Sequence, residues 1–461
     1  GDDPDGFSVR ARILSPDGAE VVSDFLVNQD TTGWQIYGRI GALSDGGFVV
    51  TWESQSSAHD GDSTAIVARL FDADGTPRGN EFTVNTLALS NQEEPELTML
   101  AGGGFVITWT GTESAGDPGN YGVKAQIFDD AGNKVGSEFV ANGSSPGTQF
   151  ESHVTSLSDG GFIVTWVDTG GNLDGDGQGV GARVFNADGS ERIAEFTVNQ
   201  RATGPQNHQE AVELSDGGFV IVWESYDGID DTSDSGAKAR IFNSDGSERT
   251  AEFLVNTETA NIQTFPVAKA LPDGGFIVTW STTDSTQDGS SSAIKARIFD
   301  ADGSERVAEF LVNDDAAGIQ IYPDIEVFDD GSFVIMWNSS TDTTDNSGYS
   351  VKAKFFNYDG SARDFSEDSI TTLSTAALLR NDTDADGDTL SVTAVSGTSA
   401  NGATVTLNGD GTISYDPTGA TTIQALNDGE TLDDTFTYTI SDGNGGTTTG
   451  TVTITVNGAD E

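Results

Sequence analysis

Four aspartates alternate near the C-terminal end of the 461-residue chain, in the pattern Asp-x-Asp-x-Asp-Gly-Asp. They are Asp382, Asp384, Asp386 and Asp388. Short carboxylate side chains two residues apart can converge on one ion, and the glycine permits the sharp turn that such a loop needs. Ca²⁺ binds about six to eight oxygen ligands of this kind. The pattern therefore predicts a calcium site, and a solvated turn held by aspartate side chains is the alternative.

A second set of aspartates recurs at a constant spacing of 57 residues. Its members are Asp60, Asp117, Asp174, Asp231, Asp288 and Asp345. The loops around them vary in sequence, while the aspartate keeps its place. One bound Ca²⁺ in each repeat would explain this register. A turn initiated by the aspartate would explain it equally well, so both interpretations stay open.

Two aromatic residues are candidate contacts for a ligand. Trp34 is the one tryptophan outside the repeated register described below, and Tyr226 lies in a loop of similar composition. Variable loops on a rigid scaffold are where recognition usually takes place. An aromatic ring that only one repeat carries can stack on a sugar ring. Packing of the ring against a neighbouring sheet is the alternative.

The charge of the chain excludes one class of partner. It has 21 basic and 74 acidic residues and a net charge of −53. Binding to phosphate backbones requires clustered Lys and Arg, so no nucleic acid partner is expected. Such acidity fits solubility in salty water and also neutralisation by Ca²⁺. No apolar run approaches the length of a membrane span, so we expect no membrane insertion.

These residues must be positioned by a repeated unit of 57 residues. The stretch "LSDGGFVVTW" at residues 43–52 returns as "LAGGGFVITW", "LSDGGFIVTW", "LSDGGFVIVW", "LPDGGFIVTW" and "FDDGSFVIMW". The tryptophans that close these stretches are Trp52, Trp109, Trp166, Trp223, Trp280 and Trp337. Each period contains four short strands, A to D, punctuated by Gly and Asp turns. A long fixed period of this kind indicates a repeat architecture.

The composition of strand B selects among repeat folds. It is apolar on both faces, so both faces must be covered by other sheets. Four strands in each period, with sheets stacked around an axis, predict an all-β chain whose residues 1–365 form a β-propeller. Six copies of strands A, B and D favour six blades, closed by an N-terminal strand C or D. Strand C occurs seven times, so a seven-bladed ring that lacks some strands is the alternative.

A second module is predicted for residues 366–461, where the repeat stops. Its segments "NDTDADGDTL" and "FTYTISDGNGG" resemble the VCBS and cadherin-like domains of large RTX-type bacterial adhesins and secreted surface proteins. The resemblance implies a Greek-key β-sandwich. It also implies that Glu367 and Asp368 join the aspartates at 382–388 in binding calcium at a domain junction. The last four residues, Gly-Ala-Asp-Glu, depart from the Gly-x-Asn-Asp with which these domains usually end.

The sequence contains no recognisable catalytic motif. It has no cysteine, no Gly-x-Ser-x-Gly elbow and no phosphate-binding loop. The three histidines, His59, His153 and His208, fall at unrelated positions within the repeat and do not predict a cluster. We therefore expect a protein that is not an enzyme and has no catalytic residues. The alternative is a glycosidase or a lyase, because β-propellers host such enzymes; this rests on analogy of fold alone.

These observations favour a non-catalytic, calcium-binding adhesion or ligand-binding module on the bacterial cell surface or outside the cell. The expected partner is a polysaccharide or a cell-surface glycan, and the chain is expected to be a monomeric segment of a longer protein. One alternative is a lectin-like propeller with a defined glycan. The other is a structural spacer, or matrix component, without a ligand.

Overall fold

The computed structural model describes most of the chain, which divides into two compact units. One unit is Gly1–Asp324 with Trp337–Val351, and the other is Ile325–Met336 with Lys352–Glu461. The described residues are 7–14, 20–56, 59, 61, 64–86, 91–112, 121–143, 147–170, 173–175, 177–228, 231, 235–259, 261–283, 292–313, 318–328, 331–340, 350–361, 365–375, 390–409, 412–427, 430–441 and 446–459.

The repeats form antiparallel sheets, as the period predicts. Five of them have four strands, and we number these blades 1 to 5, with strands A to D in chain order. Blade 1 contains β3 (Gln35–Ala42), β4 (Phe48–Ser54), β5 (Ala65–Phe71) and β6 (Phe82–Thr83), and blade 2 contains β7 (Gln92–Met99), β8 (Phe105–Thr112), β9 (Tyr121–Phe128) and β10 (Lys134–Val140). Blade 3 contains β11 (Gln149–Ser156), β12 (Phe162–Asp168), β13 (Gly179–Phe185) and β14 (Glu191–Thr197). Blade 4 contains β15 (Gln206–Glu213), β16 (Phe219–Ser225), β17 (Gly236–Phe242) and β18 (Phe253–Leu254), and blade 5 contains β19 (Gln263–Ala270), β20 (Phe276–Thr282), β21 (Ala293–Phe299) and β22 (Glu305–Leu311). The architecture is that of a β-propeller.

The terminal repeats form two smaller sheets. The strands β1 (Arg10–Leu14) and β2 (Glu20–Leu26), which correspond to C and D, pair with each other. The strands β23 (Gln320–Val327), β24 (Phe333–Ser339) and β25 (Ser350–Phe356), which correspond to A, B and C, form a three-stranded sheet. In the described residues no N-terminal strand completes the last sheet, contrary to our expectation. The hairpin of β1 and β2 packs on blade 1, where the ring centroids of Phe25 and Phe71 lie 5.7 Å apart.

Strands B and C carry the core because both of their faces are covered. In blades 3, 4 and 5 every residue of strand B is buried. In four repeats the indole N–H of the strand B tryptophan donates to a glutamine of strand A, as in the 2.8 Å bond from Trp109 Nε1 to Gln92 Oε1. Trp280 Nε1 has no partner in the described residues. Phenylalanines of strands B and C stack at each blade, with ring centroids 4.9 Å apart for Phe105 and Phe128. The repeated sequence therefore builds nearly the same core several times.

Polar side chains in register join the strands and the blades. An asparagine that follows strand D accepts a hydrogen bond from the N–H of strand C or of the residue just before it, at 2.7–3.0 Å in each of six repeats. Neighbouring blades are joined by charged side chains. Glu252 of blade 4 accepts from Gln200 N at 2.6 Å, and Arg240 donates to Val198 O at 2.8 Å. These bonds satisfy buried backbone groups, which would otherwise cost stability.

In its described residues the C-terminal module contains two three-stranded sheets. One is β26 (Thr371–Ser374), β29 (Thr412–Asp416) and β28 (Thr404–Leu407), in that order, and the other is β27 (Ser391–Val395), β30 (Thr431–Ser441) and β31 (Thr447–Asn457). Both sheets contribute to one apolar core around Tyr415 and Phe436. The predicted boundary between residues 365 and 366 stays a prediction. In the described part of the chain, no helix is long and apolar enough to cross a membrane.

Candidate functional site

Every strand A contains one residue with a left-handed backbone. The register shifts in the pairing of strands A and B place a bulge at this point, as between Phe150 and His153. The residues are Tyr37, Glu94, Glu151, His208, Phe265 and Tyr322, with φ between 49° and 55°. A left-handed conformation costs a residue other than glycine about 1–2 kcal/mol, and such strain concentrates at functional sites. The inner strands therefore carry a repeated strained position, which marks a candidate site.

Carboxylates of the preceding blade hold these bulges in place. The N–H of Glu94 donates to Glu53 Oε2 at 3.3 Å, and the N–H of His208 donates to Glu151 Oε2 at 3.3 Å. The N–H of Phe265 donates to Glu224 Oε2 at 3.4 Å. Each bond joins two neighbouring blades, so the strained backbone is fixed by tertiary contacts rather than by local sequence.

The strained side chains of blades 1 to 4 converge on one cavity. Strands A of successive blades contact one another in order from β3 to β19. They enclose a cavity of about 260 Å³, which we call the inner pocket. Its principal residues are Tyr37, Arg39, Glu94, Glu151, His208 and Gln209. These residues come from four different repeats, so only the folded propeller assembles the pocket.

The titratable groups at the inner pocket have perturbed pKa values. Burial, reinforced by the nearby charge of Glu151, raises the pKa of Glu94. Burial also raises the pKa of Glu53, which lies behind Glu94, to about 7. Burial opposes charge on His208, but its 2.9 Å hydrogen bond to Glu224 and the negative charges of Glu151 and Glu224 raise its pKa overall. Clusters of such groups in a cleft are typical of functional sites.

Aromatic side chains extend from the inner pocket along the strands A of blades 4 and 5 and β23. The ring centroids of His208 and Phe265 lie 4.5 Å apart, and those of Phe265 and Tyr322 lie 4.6 Å apart. Tyr322 remains half-exposed, as does Tyr37. The site thus combines aromatic faces with carboxylate and amide oxygens, a combination that suits ligands with both apolar and hydroxyl-bearing surfaces.

The prediction that the histidines do not cluster is wrong for two of them. His153 and His208 both line the inner pocket. They occupy positions two residues apart in the repeat, and they belong to neighbouring blades. The two histidines occupy different positions in the repeat, yet both side chains line the pocket, because the bulge lets neighbouring positions of strand A face it. The signal that could have found the site was the inner-strand register 37, 94, 151, 208, 265 and 322, which holds only aromatic and ionisable residues.

Of the predicted calcium ligands, four are described. Asp382, Asp384, Asp386, Asp388, Asp60, Asp117, Asp288 and Asp345 lie outside the described residues. Asp174 Oδ2 accepts a hydrogen bond from Asn199 at 2.8 Å, and Asp231 Oδ2 accepts one from Asn256 at 2.7 Å. Glu367 is buried and Asp368 is exposed. The described residues contain no group of three or more acidic or histidine side chains that could hold a metal ion. The calcium site stays a prediction.

The predicted aromatic contacts lie outside the inner pocket. Trp34 is half-exposed, and its ring meets the ring of Phe7 edge-on at 5.4 Å. Tyr226 is partly buried, and its N–H donates to Pro205 O at 3.0 Å. Whether either residue contacts a ligand stays a prediction.

Comparison with known proteins supports the two-part architecture. Residues 358–458 match the model of the bacterial cadherin-like domain. No curated protein matches the chain. Three solved structures are similar, each covering 70–77% of this chain. One is a protein of unknown function from Dyadobacter fermentans (12% identity, 93% of that chain, TM-score 0.47). The second is an ulvan lyase (10% identity, 80% of that chain, TM-score 0.46). The third is an α-L-arabinanase from Penicillium chrysogenum complexed with arabinobiose (14% identity, 99% of that chain, TM-score 0.45).

These structures correct the expectation that the protein is not an enzyme. Two of the three, the ulvan lyase and the α-L-arabinanase, are enzymes, and the expectation that this chain is not an enzyme is withdrawn. At 10–14% identity and TM-scores of 0.45–0.47, the likeness assigns no reaction to this chain. A β-propeller with a cadherin-like domain fits a ligand-binding or glycan-binding protein.

Proposed function

We propose that the protein binds carbohydrate at the inner pocket of its propeller, as part of an extracellular or surface-attached bacterial protein that serves adhesion. The observation that carries this proposal is the convergence of strained aromatic and carboxylate side chains from separate repeats. The cadherin-like module at residues 358–458 supports the surface location.

The chemistry of the pocket suits a sugar better than an apolar ligand. A sugar ring presents C–H groups on its faces and hydroxyl groups around its rim. The rings of Phe265 and Tyr322 can cover a face, while Glu94 and Glu151 can accept hydrogen bonds from hydroxyl groups. Hydrogen bonds between the blades hold the pocket in shape before a ligand binds, so binding loses little conformational entropy of the protein.

Substitution of the inner aromatic residues tests this proposal against the alternative site at Trp34. A glycan array should yield ligands whose affinity, measured by calorimetry, falls about tenfold or more in Tyr322→Ala and in Phe265→Ala. Loss of one aromatic stacking contact on this scale corresponds to about 1.4 kcal/mol. Trp34→Ala is the matched control because it removes a half-exposed aromatic ring outside the pocket.

The pattern of losses distinguishes the alternatives. A ligand that is lost in Trp34→Ala but retained by both inner variants would place recognition in the loops, and the proposal would be wrong. Absence of any glycan ligand would favour a spacer. Thermal unfolding of each variant shows whether a lost affinity merely reflects lost stability.

A separate observation favours calcium binding by the C-terminal module. Glu367 is 1% exposed, and its Oε1 accepts a hydrogen bond from Ala459 N at 2.9 Å. No donor in the described part of the chain reaches its buried Oε2. A buried carboxylate oxygen without a partner is costly, and a cation would satisfy it. We propose that Glu367 and Asp368 bind Ca²⁺ together with the aspartates at 382–388.

Calcium should therefore stabilise the full chain more than NaCl does at the same ionic strength. An ion that binds only the folded state adds about 2.7 kcal/mol at a hundredfold excess over its Kd. Glu367→Gln should lose this calcium-specific shift in unfolding temperature, and so should Asp384→Ala combined with Asp386→Ala. Glu430→Gln, an exposed substitution in the same module, should retain it. An equal shift in NaCl, or an unchanged shift in Glu367→Gln, would contradict the site.

A further inference from the structure

The inner pocket contains a hydrogen-bond acceptor that lacks a donor. Gln209 is 4% exposed and lines the pocket. Its Nε2 donates to Glu151 O, which fixes the direction of the amide. No donor in the described residues reaches its Oε1. A buried acceptor without a donor destabilises the folded state, and a ligand that donates a hydrogen bond would satisfy it.

A second acceptor of this kind lies behind His208. Glu224 is 0% exposed, and its Oε2 binds His208 Nδ1 at 2.9 Å. Its Oε1 has no donor within the described ranges. In a region from which water is largely removed, an acceptor without a partner attracts a hydrogen-bond donor more strongly than it would in bulk solvent.

Acidic groups outnumber basic groups around the pocket. The carboxyl groups are Glu94, Glu96, Glu151, Glu210 and Asp324. Arg39 is already bound to Glu96 at 2.6 Å, so it contributes little free positive charge. Among the described residues, Lys269, His153 and His208 are the other basic groups, so four basic groups face five carboxyl groups. With a net charge of −53 on the whole chain, polyanionic sugars are repelled and cationic ones are attracted.

We propose that the inner pocket is specific for a saccharide with a free amino group, an oligosaccharide that contains an unacetylated amino sugar. This inference rests on the proposed function and names its ligand class. The ammonium group donates toward Glu94, Glu151 and the Oε1 of Gln209, and the aromatic side chains cover the sugar ring. An ammonium group has three donors and one positive charge, so it supplies both the missing hydrogen bonds and the missing charge.

The acetylated sugar and the acidic sugar are the informative comparisons. N-acetylation removes the charge and two of the donors while the sugar ring is unchanged. A uronic acid keeps the ring but carries the opposite charge. Both changes should therefore weaken binding if the pocket recognises the amine, and neither alters the face that stacks on Phe265 and Tyr322.

The test is calorimetric titration of the full chain with three β-1,4-linked tetramers, of glucosamine, N-acetylglucosamine and glucuronic acid. We expect the glucosamine tetramer to bind about tenfold or more tightly than the N-acetylated one at moderate ionic strength, below neutral pH, and the glucuronic acid tetramer not to bind. Glu151→Gln and Gln209→Leu should each reduce this preference several-fold. Glu213→Gln is the matched control, because it removes one negative charge from the same strand as Gln209 but outside the pocket.

The outcomes separate this inference from the proposed function. If the neutral tetramer binds, depends on Tyr322, and equals the amine in affinity, the pocket binds carbohydrate but the amine specificity is wrong. A preference for the amine that is unchanged in Glu151→Gln and Gln209→Leu would reflect general attraction to an acidic chain, and it would also overturn the inference. If no tetramer binds and the glycan array is empty, the proposed function fails as well. Unfolding temperatures of the variants identify any loss caused by misfolding.

Discussion

Lys238→Met should destabilise the propeller by about 3 kcal/mol, the lower end of the cost of breaking a buried ion pair, because Arg201 Nε also lies 3.2 Å from Glu252 Oε1. Lys238 is 1% exposed, and its Nζ donates to Asp227 and, at 3.0 Å, to Glu252. Burial opposes its charge, but these two hydrogen bonds raise its pKa overall. Methionine preserves much of the volume of the side chain and removes the charge. Urea unfolding of the purified chain measures the change in the free energy of unfolding.

The same substitution at an exposed site provides the control. Lys134 lies at the surface, and Lys134→Met should change the free energy of unfolding by less than about 0.5 kcal/mol. Adding Asp227→Asn and Glu252→Gln to Lys238→Met should recover part of the loss, because neither side chain then carries a buried negative charge that requires Lys238. Equal effects of Lys238→Met and Lys134→Met would show that the buried network contributes nothing. Blade 1 already has an apolar residue at this position, because Val67 corresponds to Lys238 in the 57-residue repeat.

Glu53→Gln should stabilise the protein by about 2 kcal/mol at pH values above neutrality and should have little effect in acid. The pKa of Glu53 is raised from 4.5 to about 7 by burial. Below 4.5 the carboxyl group is protonated in both the folded and the unfolded state. Between 4.5 and about 7 only the unfolded state ionises, so stability falls as the pH rises, and above that range the whole penalty is present. Glutamine removes the penalty and still accepts the N–H of Glu94 through its side-chain oxygen.

Thermal unfolding of both proteins at several pH values measures this effect. The expected stabilisation is smaller than the full pKa shift implies, because water near the pocket screens part of the charge. Glu305→Gln, which removes a surface carboxylate of similar size, controls for the net charge of the chain. If Glu53→Gln stabilised the protein equally in acid and at alkaline pH, the folded state would not oppose ionisation of Glu53.

The repeated sheets were predictable from the sequence because the local sequence is repeated with them. Trp52, Trp109 and their equivalents recur every 57 residues, and each lies buried in strand B of its blade. Strands that are apolar on both faces need cover on both faces, so stacked sheets followed directly. The cadherin-like module was predictable because its segments "NDTDADGDTL" and "FTYTISDGNGG" resemble those of cadherin-like domains, and residues 358–458 match the model of that family.

The end of the repeat series was less predictable. The sequence contains seven copies of strand C, and it favoured a ring in which an N-terminal strand completes the last sheet. In the described residues β1 pairs with β2, and β25 belongs to another sheet. Phe25 packs on Phe71 as Phe82 packs on Phe128 in the next blade, so the N-terminal hairpin contacts blade 1 in the same way as one blade contacts the next. The number of strand copies in the sequence does not determine which of them pair.

By itself, then, the sequence determined the all-β class, the 57-residue blades and the C-terminal module, because these depend on patterns within one segment. Only the tertiary structure decided where the candidate site lies. Glu94, Glu151 and His208 share a register at a spacing of 57 residues, but the sequence does not indicate that their side chains meet in one pocket. Their common left-handed backbone and their shared pocket arise from bulges that carboxylates of neighbouring blades hold in place. A site made by one residue from each of several repeats exists only after those repeats have packed side by side.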